Sequence, residues 1–129
     1  MKTAIACATA LLLVAGVTAH GQTLRTRRVM REKLVHTQRI LEALTTSNLT
    51  VLERESLALL QVTESPQWSE VNTPELRPYT DAFVKAIKDL AESARQRDLD
   101  AAAAQYGTLT MTCYRCHKYR KDSRVATQR

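Results

Sequence analysis

Two cysteines and a histidine lie close together near the C-terminus, in the order Cys113-Tyr114-Arg115-Cys116-His117. This C-x-x-C-H spacing is the attachment motif of c-type haem, in which two thiols bond to the porphyrin and the imidazole binds the iron. On a helix, positions i, i+3 and i+4 share one face, which a flat ring lying against a helix requires. The motif therefore predicts haem c, attached covalently through Cys113 and Cys116, with His117 as the proximal axial ligand.

Other uses of a C-x-x-C pair require features that this chain lacks. A structural zinc site needs four ligands, and after residue 19 the sequence contains no third cysteine. A thioredoxin-type redox pair needs a β-α-β context, and no strand pattern accompanies the motif. Haem attachment is the preferred interpretation.

The N-terminus has the pattern of a cleavable signal peptide. Lys2 supplies a positive charge, residues 8–17 form an apolar segment, and small residues precede a cleavage site expected ahead of His20. The alternative is a retained anchor, but the apolar run is short for a bilayer span. Cys7 precedes the apolar segment, so we do not expect a lipoprotein. The expected location is the periplasm, without a stable membrane anchor, which agrees with the maturation of c-type cytochromes outside the bacterial cytoplasm.

Length and charge limit the possible functions of the remaining chain. The sequence has 129 residues and a formal net charge of +6. Removal of residues 1–19 leaves about 110 residues and a formal net charge of +5. This length suits one domain, residues 20–129. The basic residues are spread along the sequence and aromatic residues are few, so we do not expect nucleic-acid binding. A modest positive charge instead suits docking to an acidic redox partner protein.

Apolar periodicity predicts four helices and no strand. The first helix carries apolar or small residues at alternating steps of four and three, the spacing of a packed bundle helix. We therefore expect an all-α fold, an antiparallel four-helix bundle with covalent haem near the end of helix four. The predicted helices are 24–44, 51–64, 78–96 and 99–121, and the inner face of the first is Met30, Leu34, Thr37, Leu41 and Leu44, widened by Val29, Ile40 and Ala43.

Several single residues carry further structural expectations. Thr50-x-x-Glu53 reads as a capping box for the second helix, and Asp98 as the cap of the fourth. Gly107, inside the fourth helix, either makes room for a ring or a neighbouring helix or is simply tolerated. Trp68 is expected to close one end of the core, and His36 to lie on the surface.

Together, the helices and the late motif resemble cytochrome c prime and the related low-spin cytochromes of the c-556 type. The first-helix pattern Met30 … Gln38-Arg39-Ile40-Leu41 supports the resemblance. In that family, the residue ten positions before such an apolar residue faces the distal side of the iron, and here it is Met30. The resemblance implies a bundle cytochrome with Met30 at the distal position, either ligating the iron or leaving it five-coordinate. Members are often dimers, so a homodimer is one expected assembly.

The resemblance also directs attention to basic residues that could contact the haem propionates. The family commonly has Arg four residues after the haem histidine, where this chain has Lys121. An Arg four residues before the distal position is also frequent, but this chain has Thr26 there. The candidates are therefore Arg27 and Arg28 on the first helix and Arg120 and Lys121 on the fourth, with solvated surface charges as the alternative.

Met30 decides between two functions. A methionine on an apolar stripe is ordinarily core filler, but in an up-down-up-down bundle Met30 and His117 lie at the same end. His/Met ligation would suit a carrier of single electrons. The alternative is a high-spin protein like cytochrome c prime, which binds NO or CO at a free distal position. No distal base is evident for a peroxidase, so no enzyme is expected; a haem-free helical interaction module is the remaining alternative.

Overall fold

A computed structural model describes the backbone of residues 2–127 and the side chains of residues 24–127. The fold is all-α, with four helices and a short 3-10 helix, and residues 2–127 contain no strand. The signal-peptide prediction concerns residues 1–19, whose side chains lie outside the described part. The elements are α1 (Lys2–Thr45), α2 (Leu49–Glu64), the 3-10 helix (Pro66–Glu70), α3 (Arg77–Arg95) and α4 (Leu99–Thr127).

The α1–α2 and α3–α4 turns share one design. Ser47 and Arg97 each follow a helix with positive φ, 55° and 63°. The next amide reaches back to the carbonyl five residues earlier in both turns, from Asn48 to Ala43 (2.8 Å) and from Asp98 to Ser93 (3.0 Å). This is the Schellman arrangement, which satisfies carbonyls that the helix end leaves free.

The residue after each positive-φ position caps the next helix. Asn48 Oδ1 accepts from the amide of Val51 (3.2 Å), and Asp98 Oδ1 accepts from that of Ala101 (2.9 Å). The Asp98 prediction is confirmed. The capping box at Thr50 is wrong, because α2 begins earlier, at Leu49, and Asn48 already satisfies its first turn.

Helices adjacent in sequence pack against each other, and α4 also contacts α1 over a short stretch. The short turns between neighbouring helices make them antiparallel. At the centre of the core lie fully buried residues from all four helices: Ile40, Leu52, Leu59, Ile87, Leu90 and Leu109. The buried residues of α2 and α3 are mostly apolar, but they include the polar Glu55 and Thr80.

The inner face of α1 differs from the prediction. Leu34 and Leu41 are exposed, at 56% and 43%, although both were expected inside. Val29, Ile40 and Ala43 do lie in the core, as predicted, and Lys33 and His36 are half-buried beside them. The two leucines lie outside because polar residues at the inner positions find partners on other elements, described below.

The bundle has two distinct ends. At the hairpin end, where both Schellman turns lie, Arg97 donates to the hydroxyl of Thr50 (3.4 Å). At the opposite end, which we call the motif end, Arg25 on α1 pairs with Glu70 (3.3 Å). Trp68 in the 3-10 helix is buried there and stacks on Phe83 of α3, with ring centroids 5.9 Å apart. The prediction that Trp68 closes one end of the core is confirmed.

The last helix is longer than predicted. It continues past Lys121 to Thr127, helped by i,i+4 pairing of Lys118 with Asp122 (2.6 Å). Gly107 is exposed, and a β-carbon there would meet no atom within 4 Å. The suggestion that Gly107 permits close approach of a neighbouring helix is therefore wrong.

Candidate functional site

The C-x-x-C-H segment lies in the uninterrupted second half of α4. Cys113 and Cys116 are half-buried and not joined in a disulfide, and Cys113 packs against the core. His117 and Tyr114 are exposed. Because the helix is continuous, the two thiols and the imidazole project at i, i+3 and i+4, close to one side of α4.

The protein covers the two halves of α4 unequally. Ala102, Leu109 and Thr112 in the first half are buried, but no side chain from 113 to 127 is. A helix of a bundle normally buries a continuous stripe. The motif half of α4 therefore offers a partly apolar side that the other helices cover only in part.

Burial raises the pKa of the Cys113 thiol above its ordinary value, and the nearby positive charge of Lys33 opposes the rise. A redox-active or metal-binding cysteine normally has a lowered pKa, because the thiolate is the reactive form. At neutral pH, Cys113 is therefore a protonated thiol. This state does not match a thioredoxin-type nucleophile.

The imidazole of His117 is biased toward its neutral form. Partial burial of the ring lowers its pKa, and the positive charges of Lys33 and Arg120 add to the effect. Neutral imidazole is the form that binds metal ions. His117 thus combines an accessible side chain with the protonation state that axial ligation requires.

Met30 lies across from the motif. The hydroxyl of Tyr106 on α4 donates to the carbonyl of Thr37 on α1 (3.5 Å), which sets the relative positions of these antiparallel helices. Met30 precedes Thr37 by the same number of residues as Cys113 follows Tyr106. Met30 and Cys113 therefore lie at about the same level along the bundle axis. Both are half-buried and pack against the core.

The four basic candidates for propionate contacts are all at the motif end but differ in exposure. Arg27, Arg28 and Lys121 are exposed, whereas Arg120 is half-buried and close enough to influence the pKa of His117. Arg120 is therefore the candidate nearest to the motif by this criterion.

Lys33 also belongs to the surroundings of the C-x-x-C-H motif, although the sequence did not indicate a role for it there. Its Nζ lies over two aromatic rings, 3.7 Å from the centroid of Phe83 and 4.7 Å from that of Trp68. Burial lowers the pKa of Lys33, and the Cys113 and Cys116 thiols oppose the shift. Its partners lie far away in the sequence, so no local pattern around Lys33 could have identified it.

His36 is not a surface residue, contrary to the prediction. Its Nδ1 lies 2.9 Å from Oε2 of Glu55 on α2, and its side chain is only 17% exposed. Arg54 also donates to this buried carboxylate (2.9 Å), and Arg39 lies 3.7 Å from it. These contacts, led by the hydrogen bond from His36, lower the pKa of Glu55. Because the carboxylate is ionised at neutral pH, Nδ1 of His36 is the donor.

The described residues contain no further metal site or membrane-spanning helix. Within residues 24–127, no group of three His, Cys, Asp or Glu side chains could hold a metal ion. Among the described helices, none has both the length and the apolar character to cross a membrane. Neither a family model, a curated protein nor a solved structure matches the chain.

The residues present at the motif fit covalent haem. Two free thiols at i and i+3 and a neutral-biased imidazole at i+4 lie on a side of α4 that other helices cover only in part. These are the donors that attachment through two thioether bonds and one axial nitrogen requires. Half-buried Met30, with its thioether, lies level with the first of them.

Proposed function

We propose that this chain is a periplasmic c-type cytochrome that carries one covalent haem and transfers single electrons. The observation that carries the proposal is the arrangement of Cys113, Cys116 and His117 on one continuous helix, with both thiols half-buried. When bound, haem supplies an iron that cycles between Fe(III) and Fe(II). The resemblance to cytochrome c prime and the predicted export signal favour the same function and location.

In this proposal each residue has a separate task. Cys113 and Cys116 would hold the ring on α4 through thioether bonds, and the imidazole of His117 would bind its iron. Met30, on α1, would supply a second iron ligand, and a His/Met pair suits a haem that transfers single electrons. Of the propionate candidates, Arg120 is favoured by its partial burial and by its effect on His117.

The half-burial of Met30 against the core also supports the second candidate function. In a high-spin protein like cytochrome c prime, Met30 would be an apolar gate beside a free distal position, where NO or CO binds. Absorption spectra of wild type and Met30→Ala distinguish the two. The electron carrier requires a low-spin spectrum that Met30→Ala converts to high spin, whereas a high-spin spectrum unchanged by the substitution supports the gas-binding protein.

Covalent attachment is tested by producing the full chain with its export signal alongside the haem-maturation machinery. Wild type should give a haem-stained band on a denaturing gel. Cys113→Ala and Cys116→Ala should weaken or abolish the band, because each removes one thioether bond. Tyr114→Phe is a matched control inside the motif and should stain like wild type, because the Tyr114 side chain is exposed. A colourless wild-type protein would instead favour a haem-free helical module.

A further inference from the structure

Lys33 is a basic residue that the core aromatics hold in place. Its ammonium lies 3.7 Å from the ring centroid of Phe83 and 4.7 Å from that of Trp68, and both rings are buried. A cation within about 6 Å of an aromatic face is attracted to it, the more so when water is excluded. The position of this charge is therefore set by α3 and the 3-10 helix as well as by α1.

The charge of Lys33 acts on the motif across the bundle. It influences the pKa values of Cys113 and His117, and the Cys116 thiol in turn influences the pKa of Lys33, so Lys33 lies within electrostatic range of all three. It also follows Met30 by three positions on α1, which places both on neighbouring parts of one helix face. No ion pair found among residues 24–127 includes Lys33, so no described carboxylate neutralises it.

We propose that Lys33 is a fixed charge that raises the reduction potential of a haem iron bound at the C-x-x-C-H motif. The inference rests on the proposed function. Uptake of one electron from a redox partner protein would lower the positive charge at a bound haem iron by one. The repulsion between the iron and the Lys33 ammonium then decreases, so the charge favours the reduced state.

Burial gives Lys33 more influence than the many exposed basic residues have. Charge interactions inside a protein act at an effective dielectric constant of about 20, against about 80 in water. Exposed residues such as Arg27 and Arg28 face solvent, where salt screens them within about 8–10 Å. One partly buried charge can therefore matter more to the iron than several surface charges.

The test is the midpoint potential of the haem-loaded protein, measured by redox titration followed spectroscopically. Lys33→Met removes the charge and keeps a side chain of similar length. It should lower the equilibrium constant for reduction about tenfold, which lowers the midpoint potential by about 59 mV for a one-electron couple. Lys33→Arg keeps the charge and can stack on the rings, so its potential should stay near that of wild type. Lys88→Met is the matched control, because Lys88 is exposed on α3.

The outcomes separate this inference from the proposed function. Wild type that binds no haem overturns both. Wild type that binds haem, with equal potentials for Lys33→Met and wild type, overturns only the role of Lys33. A change of spin state in Lys33→Met would identify the amine as a ligand and overturn the charge role as well. Lys33→Gln, a second neutral variant, is measured in parallel with Lys33→Met. Circular dichroism and haem content show which of the two folds and binds haem. A lowered midpoint potential in a folded neutral variant supports the proposal.

Discussion

Glu55 is a buried acid whose charge the bundle retains because three basic side chains surround it. His36 and Arg54 donate to the carboxylate, each at 2.9 Å, and the guanidinium of Arg39 lies 3.7 Å away. Uncompensated burial of a carboxylate would be costly, and hydrogen bonding is what makes it tolerable. The cluster joins α1 to α2 near the hairpin end, away from the C-x-x-C-H motif, so its role is structural.

At the scale of this residue, Glu55→Gln should destabilise the fold by about 1–2 kcal/mol at neutral pH, because charge-assisted hydrogen bonds become neutral ones. The pKa of Glu55 is lowered in the folded state from 4.5. Its stabilising effect is therefore complete above about pH 4.5 and is lost as pH falls through the lowered value. Urea unfolding of both proteins from pH 7 to pH 3 should show their difference shrinking toward acid.

Glu64→Gln is the control for that measurement, because Glu64 is exposed on the same helix. It should change the free energy of unfolding little at any pH. A Glu55→Gln protein as stable as wild type at pH 7 would contradict the role assigned to the cluster.

At the scale of the element, α4 carries a glycine that the protein part of the structure does not need. Gly107 is exposed, and a β-carbon there would meet nothing within 4 Å. Gly in a helix interior costs about 1 kcal/mol relative to Ala. Gly107→Ala should therefore raise the stability by about that amount and the melting temperature by about 4 °C, measured by circular dichroism.

Ala104→Gly, at an exposed site on the same helix, is the matched control and should lower the stability by a similar amount. The informative exception would be a Gly107→Ala protein that is more stable without haem but takes up less of it. That result would assign Gly107 to the space of the ring.

The elements also show which features could be predicted from local sequence. Four helices, the Asp98 cap and the motif follow from periodicity and spacing. The orientation of α1 does not, because two apolar stripes overlap on it, one with Leu34 and Leu41 and one with Val29 and Ile40. The choice depends on Lys33 and His36, whose partners lie on other elements. Burial of a polar residue is set by such distant partners, so the pattern of α1 alone could not show that Leu34 and Leu41 lie outside the core.

At the scale of the whole molecule, the net charge is concentrated at the motif end. Residues 24–33 and 115–124 each contain five basic residues and one acidic residue, so together they carry a formal +8. The whole chain carries +6, which leaves −2 for the rest. Of the basic residues in these two segments, only Arg25 and Lys118 form ion pairs within residues 24–127, with Glu70 and Asp122 respectively. The basic residues are spread along the sequence, but the antiparallel fold brings these two segments to one end.

This asymmetry predicts that anionic redox partners react fastest at the motif end. With the haem-loaded, reduced protein, oxidation by hexacyanoferrate(III), an anionic probe, should slow severalfold as ionic strength rises from 0.01 to 0.15 M, because the screening length falls from about 30 to about 8 Å. Charge reversal of two exposed residues, Arg31→Glu with Arg124→Glu, should slow the reaction at low salt and flatten its salt dependence.

Lys88→Glu, paired with Lys85→Glu, makes the same change in net charge on α3, outside the two basic segments, and both residues are exposed. If location matters, the α3 variant should keep most of the rate and of the salt dependence, although its net charge equals that of the motif-end variant. Equal rates for the two variants would mean that the probe responds to total charge alone. The basic end would then have no special part in docking, and the acidic-partner proposal would lose its support, whereas haem attachment would stand unaffected.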